Sequence, residues 1–132
     1  MGSQVHVAVG VILDGDERIL LSRRADDAHQ GGLWEFPGGK VEAGEALFEA
    51  LRRELFEELD ISVNSSEPLL QVGHDYGDKA VLLDVHLVRD FSGEASGREG
   101  QPLAWVDAAE LAQYEFPAAN RPIVEAVQKL LA

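Results

Sequence analysis

Residues 39–61 read GKVEAGEALFEALRRELFEELDI. Within this stretch Leu47, Leu51, Leu55 and Leu59 recur at every fourth position, the spacing of a helix with one buried stripe, and a helix is expected over Glu45–Leu59. At about 100° per residue the leucines cover an arc of about 120°, and Glu54, Glu57 and Glu58 fill an adjoining arc of about 100°. The three carboxylates therefore sit at the edge of the buried stripe, where a half-enclosed site can be built. Like charges at i, i+3 and i+4 repel one another, so something must offset their proximity. Glutamates are hard oxygen ligands, and a divalent cation such as Mg²⁺, Mn²⁺ or Ca²⁺ is the first candidate. No Asp-rich loop of the EF-hand kind is present. Mg²⁺ commonly takes one or two carboxylates and leaves its other positions to water and phosphate oxygens. A glycine-rich turn with a lysine, PGGK at 37–40, immediately precedes the helix and suggests phosphate chemistry.

Outward from the helix, the chain reads as strands with two main helices. Val5–Leu13 is rich in β-branched residues and nearly continuous in apolar ones, as expected of a well-buried strand. Asp14-Gly15-Asp16 marks a turn, Arg18–Ser22 a returning strand, and residues 23–32 a polar loop. Leu33–Phe36 is a short apolar run stopped by Pro37-Gly38-Gly39. Asn64–Pro68 has loop composition, Leu69–Val72 and Ala80–Val88 read as strands, and Ser92–Gly100 is again a loop. Leu103–Val106 is the last strand, Asp107 a cap for a short helix through Gln113, and Asn120 a cap for an amphipathic helix carrying Ile123, Val124, Val127, Leu130 and Leu131. This order predicts an α/β fold, a mixed sheet packed between helices.

Composition narrows the function classes. A chain of 132 residues fits one domain, expected here over residues 1–132. A net charge of −13 argues against a sequence-independent grip on nucleic-acid polymers, although a small polyanion can bind where metal ions and a few cations reverse the field. No apolar run is long enough for a membrane span, no secretory leader is visible, and there is no cysteine. These features suit a cytoplasmic protein acting as a monomer on a small molecule, with no nucleic-acid polymer or membrane partner. The histidines His6, His29, His74 and His86 show no ligand spacing.

The stretch 39–61 resembles the Nudix box, which runs Gly, five residues, Glu, seven residues, Arg-Glu-apolar, one residue, Glu-Glu, one residue, Gly, apolar. Gly39, Glu45, Arg53, Glu54, Leu55, Glu57, Glu58 and Ile61 fit it, and Asp60 stands where the family usually has Gly. The resemblance implies an α/β/α sandwich with a mixed sheet and Mg²⁺-dependent hydrolysis of a nucleoside diphosphate linked to another group, with Mn²⁺ a possible substitute. By the same resemblance Glu54, Glu57 and Glu58 are metal ligands, Glu54 is a candidate general base, and Gly39 or its neighbour Gly38 offers a backbone carbonyl. Arg53 would orient the glutamates and Glu45 would have a structural role near the helix start. Asp60 opposes the helix dipole and enters the left-handed region less easily than Gly, an expected cost of about 0.5–1 kcal/mol.

The stretches VAVGVI, SRRADDAHQGGLWEFPGGK, GREGQPLAWV and EFPAANRPIV resemble, within that family, the MutT type, which removes oxidised guanine nucleotides. This implies hydrolysis of 8-oxo-dGTP to 8-oxo-dGMP and pyrophosphate. It adds Glu99 to the metal site, places Arg24 and Lys40 on phosphates, puts Phe36 in the base pocket and sets Asn120 against the edge of the oxidised purine. Each also has an ordinary role: a surface ion pair for Arg24, the core for Phe36, a solvated loop for Glu99, a helix cap for Asn120. Lys79 stands where an arginine on the base side is expected, and it lacks the planar fork. The competing readings are action on another nucleoside diphosphate derivative such as ADP-ribose, a catalytically silent nucleotide-binding module of the same fold, and an acidic interaction protein or Ca²⁺ buffer.

Overall fold

A computed structural model describes residues 4–26 and 31–132. His29 and the middle of the loop expected over 23–32 lie outside the described residues. Strand β1 (Gln4–Ile12) is the spine of a four-stranded mixed sheet ordered β4-β1-β6-β5, formed with β4 (Gly38–Lys40), β5 (Ser62–Asp75) and β6 (Ala80–Ser92). It runs parallel to β6 and antiparallel to β4, while β5 and β6 form a long antiparallel hairpin. A second, antiparallel sheet is ordered β3-β2-β7, from β2 (Ile19–Arg23), β3 (Trp34–Glu35) and β7 (Leu103–Val106).

Alternation along β1 explains why its sequence is apolar almost throughout. Ala8 and Ile12 face helix α1 (Leu47–Leu59) and pack with Leu51, Leu55 and Leu59, all fully buried. Val9 and Val11 face the other way and pack with Ile123 and Val127 of helix α2 (Arg121–Leu130). Strand β2 repeats the device, Leu20 joining the α1 side and Ile19 and Leu21 the α2 side. Sheet between two helix layers is the α/β/α sandwich expected from the sequence. Among the described residues no helix is long and apolar enough to cross a membrane.

Three expectations are corrected. Pro37-Gly38-Gly39 does not simply end a strand: Gly38–Lys40 is itself strand β4, with Val7 opposite Lys40, Ala8 opposite Gly39 and Val9 opposite Gly38. Asn64–Pro68 is not a loop but the first half of β5. This is an edge strand with register shifts at 63/65, 65/67 and 68/70, and such irregularity accommodates Pro68 and keeps polar side chains outward. Cross-strand hydrogen bonds hold it, from Asn64 Nδ2 to Asp90 Oδ1 at 3.0 Å and between Ser66 Oγ and His86 Nδ1 at 2.8 Å. The α1 helix begins at Leu47 rather than Glu45, because the Glu49 carboxylate accepts the Ala46 N–H at 2.9 Å and fixes the start there. The short helix expected after Asp107 is present as a 3₁₀ helix over Ala108–Gln113, and β6 extends beyond the expected strand to Ser92.

Candidate active site

Arg53 is the hub of the carboxylate cluster. Its Nε and Nη2 grip Glu45 Oε2 and Oε1 at 2.8 and 2.9 Å, its Nη1 donates to Glu54 Oε1 at 2.9 Å, and Nη2 also reaches the Lys40 carbonyl at 3.0 Å. One guanidinium thus ties the helix to Glu45, just before its N-cap, and to the end of β4. The hydrogen bonds from Arg53 hold the Glu45 carboxyl down at about 2, and Glu45 in turn pushes the Arg53 pKa upward. Glu57, at 3.7 Å from Arg53, is more exposed.

Backbone pairing then sets Gly39 against Glu54. Ala8 faces α1, and its partner Gly39 faces the same way, so a Cβ on Gly39 would overlap the Glu54 carboxylate. A Cβ on Gly38 would overlap the Ala8 carbonyl, so both glycines are needed for β4 to run this close to β1. Burial raises the pKa of Glu54, with Glu57 and Glu99 adding to the effect and Arg53 opposing it.

Glu58 is the least compensated group. Its Oε2 is buried without a hydrogen-bond partner, although the Gly38 N–H donates to the carboxylate. Burial, then repulsion from Glu54, Glu35 and Glu99, pushes its pKa up to about 8. A buried carboxylate oxygen with no donor, among other carboxylates, is a place that lacks positive charge. Hard oxygen donors of this kind fit a divalent cation. Among the described residues no three acidic or imidazole groups stand close enough together to hold a metal ion by themselves.

The loop carrying Glu99 reaches this cluster because the end of α1 needs donors. The helix's last carbonyls have no partner within the helix. Ser96 N–H donates to the Leu59 carbonyl at 2.9 Å and Arg98 N–H to the Glu58 carbonyl at 3.0 Å. Asp60 itself takes the left-handed conformation, φ 60°, that the family's glycine would take, and its N–H bonds the Phe56 carbonyl at 3.0 Å.

A cavity of about 780 Å³ opens from Glu58 across the α2 side of the sheet. Val7, Val9, Val81 and Leu83 form an apolar floor, with Phe36 beside them, buried and stacked on Phe116 at 5.3 Å between ring centroids. Phe36 therefore serves core and cavity together. Gly38, Gly39, Lys40 and Arg24 line the end near the carboxylates, and Asn120 and Lys79 line the remaining wall. Asn120 occupies the cap position of α2, yet its side chain makes no capping hydrogen bond, which leaves the amide to the cavity. Arg24 pairs with Glu35 at 2.7 Å within the cavity wall, so its ion pair is not a plain surface one.

Sequence reasoning overlooked Glu35, a carboxylate in the cavity wall whose pKa is raised by burial. A charge inside the apolar run LWEF was the available signal. Tyr76 and Asp78, at the tip of the β5–β6 hairpin, also line the cavity and carry no sequence signal beyond turn composition.

Residues 8–126 match the family described as NUDIX domain. The 8-oxo-dGTP diphosphatase of Escherichia coli K12 is 36% identical, covering 96% of this chain and 98% of that protein. The CTP pyrophosphohydrolase of the same organism is 38% identical over 94% of this chain and 92% of its own. A solved structure from work on MutT of Aliivibrio salmonicida and Vibrio cholerae superposes with a TM-score of 0.86 at 41% identity, covering 97% of this chain and 99% of the other.

Proposed function

Since the chain belongs to the Nudix family, whose members generally use divalent metal ions, we propose that it is a MutT-type nucleoside triphosphate pyrophosphohydrolase. It hydrolyses 8-oxo-dGTP to 8-oxo-dGMP and pyrophosphate, with Mg²⁺ as its ion and Mn²⁺ able to replace it. The oxidised nucleotide is thereby removed from the triphosphate pool before it can be misincorporated. The chain acts as one domain, as a monomer, in the cytoplasm.

The observation that carries this reading is continuity. Glu58 and Gly38–Lys40 line the same cavity as Phe36, Leu83 and Asn120, so one ligand can span from the carboxylates to an apolar slot with an amide at its rim. Glu54, Glu57, Glu58 and Glu99, with the Gly39 carbonyl, would hold a divalent cation, which when bound would supply polarisation of phosphoryl oxygens and a more acidic water. Glu54, steadied by Arg53, accepts the proton of the water that attacks the β-phosphorus. The new P–O bond forms as the bond to the α–β bridging oxygen breaks, and that oxygen leaves with 8-oxo-dGMP. Arg24 and Lys40 bind phosphates, Lys79 and Gly38 complete the wall, Phe36 packs on the base, and the Asn120 amide reads its edge.

The 38% identity to a CTP pyrophosphohydrolase favours one second reading, a pyrimidine triphosphate in the same slot with the same chemistry. Product analysis separates the two. Incubation with 8-oxo-dGTP, dGTP, CTP and ADP-ribose in Mg²⁺ should give 8-oxo-dGMP and pyrophosphate with the highest kcat/KM. Preferential cleavage of CTP or ADP-ribose would overturn the substrate and leave the reaction class standing.

A further inference from the structure

The side-chain amide of Gln101 joins two parts of the cluster that the chain separates by more than forty residues. Its Nε2 donates to the backbone carbonyl of Glu58 at 3.0 Å, and its Oε1 accepts the backbone N–H of Glu99 at 2.9 Å. Both ends of one half-buried amide are therefore used, one on each of two residues assigned to the cation. The intervening loop is tightly wound: Gly100 N–H bonds the Gly97 carbonyl at 2.9 Å, and a Cβ on Gly97 would overlap the Gln101 carbonyl.

We propose that Gln101 is a positioning residue that fixes the Glu99 carboxylate against the C-terminal end of α1, in register with Glu58. The inference rests on the metal role given to Glu99 above. Glu99 is exposed and has no ion-pair partner among the described residues, so its side chain alone would not keep it at the site. The amide holds its backbone instead. Only an amide of this length supplies a donor to the carbonyl and an acceptor to the N–H at once. Glutamate lacks the donor, and methionine lacks the donor and offers only a weakly accepting sulfur.

The test is a double-mutant cycle read by Mn²⁺ binding to the full chain, with free Mn²⁺ counted by electron paramagnetic resonance and no nucleotide present. Glu99→Gln and Gln101→Met should each raise the Mn²⁺ Kd by about tenfold, the size typical of groups that orient ligands. The double variant should bind within about twofold of Glu99→Gln, because the second change removes the support of a carboxylate already gone. A Gln101→Met protein that binds Mn²⁺ like the wild type, or a double variant weakened by the product of the two single effects, would overturn the proposal. If Glu99→Gln itself binds normally, the metal role of Glu99 falls and the proposal falls with it, a distinguishable result. Should Gln101→Met not fold, Gln101→Glu takes its place in the same cycle.

Discussion

At the scale of single residues, the site is a set of contacts that each depend on chemistry visible in the sequence but on distances that are not. Arg53 between Glu45 and Glu54 was legible only through the resemblance of residues 39–61 to the Nudix box, which implied that Arg53 orients the glutamates, whereas the two-point grip on Glu45 came with the structure. Glu35 was only weakly legible, as a charge inside the apolar run LWEF, because two residues of strand carry no periodicity from which an inward face could be read. Gly39 gives the sharpest prediction at this scale. In Gly39→Ala the new methyl group displaces the Glu54 carboxylate, the movable end of a side chain, while the strand pairing stays intact. We expect kcat to fall by about 10²-fold, the scale of a misplacement near 1 Å, with thermal unfolding within a few degrees of wild type. Stopped assays beside a melting curve check this, and a Gly39→Ala protein of normal kcat would refute the close packing of Glu54 on β4.

At the scale of elements, the leucine spacing of α1 and the near-continuous apolar run of β1 were legible because burial imposes them, whereas which β1 residues face which helix emerged only in the structure. The first half of β5 was not legible. Its Asn, Ser and Pro residues favour turns locally, and the thirteen residues of β6 override that preference by offering a partner along the whole segment, with register shifts where the polar residues and Pro68 fall. The C-terminus of α1 lies between these cases. The sequence marks Asp60 as a departure, and the structure shows it adopting the left-handed conformation, with Arg98 Nη1 3.8 Å from its carboxylate. That exposed pair offsets little. Asp60→Gly should therefore stabilise the protein by about 0.5–1 kcal/mol in urea denaturation and leave turnover unchanged. A loss of stability would mean that Arg98 holds the helix end through Asp60 rather than through the Phe56 carbonyl, to which it donates at 3.3 Å.

At the scale of the whole molecule, a chain of net charge −13 concentrates part of its excess negative charge where a cation is needed. Folding then depends on pH in a particular direction. Glu58 titrates at about 8 in the folded protein against 4.5 for a freely solvated glutamate, so between those values the folded state holds a proton that the unfolded state has released. Stability without metal should fall as pH rises through this window, and added Mg²⁺ should raise Tm more above about pH 8 than near pH 6. Glu58→Gln should flatten both trends, whereas an unchanged slope would place the uncompensated charge elsewhere. The most direct test of metal-dependent hydrolysis through Glu54 is the release of pyrophosphate from 8-oxo-dGTP by wild type and Glu54→Gln, with Mg²⁺ and after its removal by chelation. Turnover should disappear with the metal and fall by about 10²–10⁴-fold in Glu54→Gln at unchanged Tm. Turnover that survives chelation, or a Glu54→Gln protein of near-normal kcat, would contradict that role.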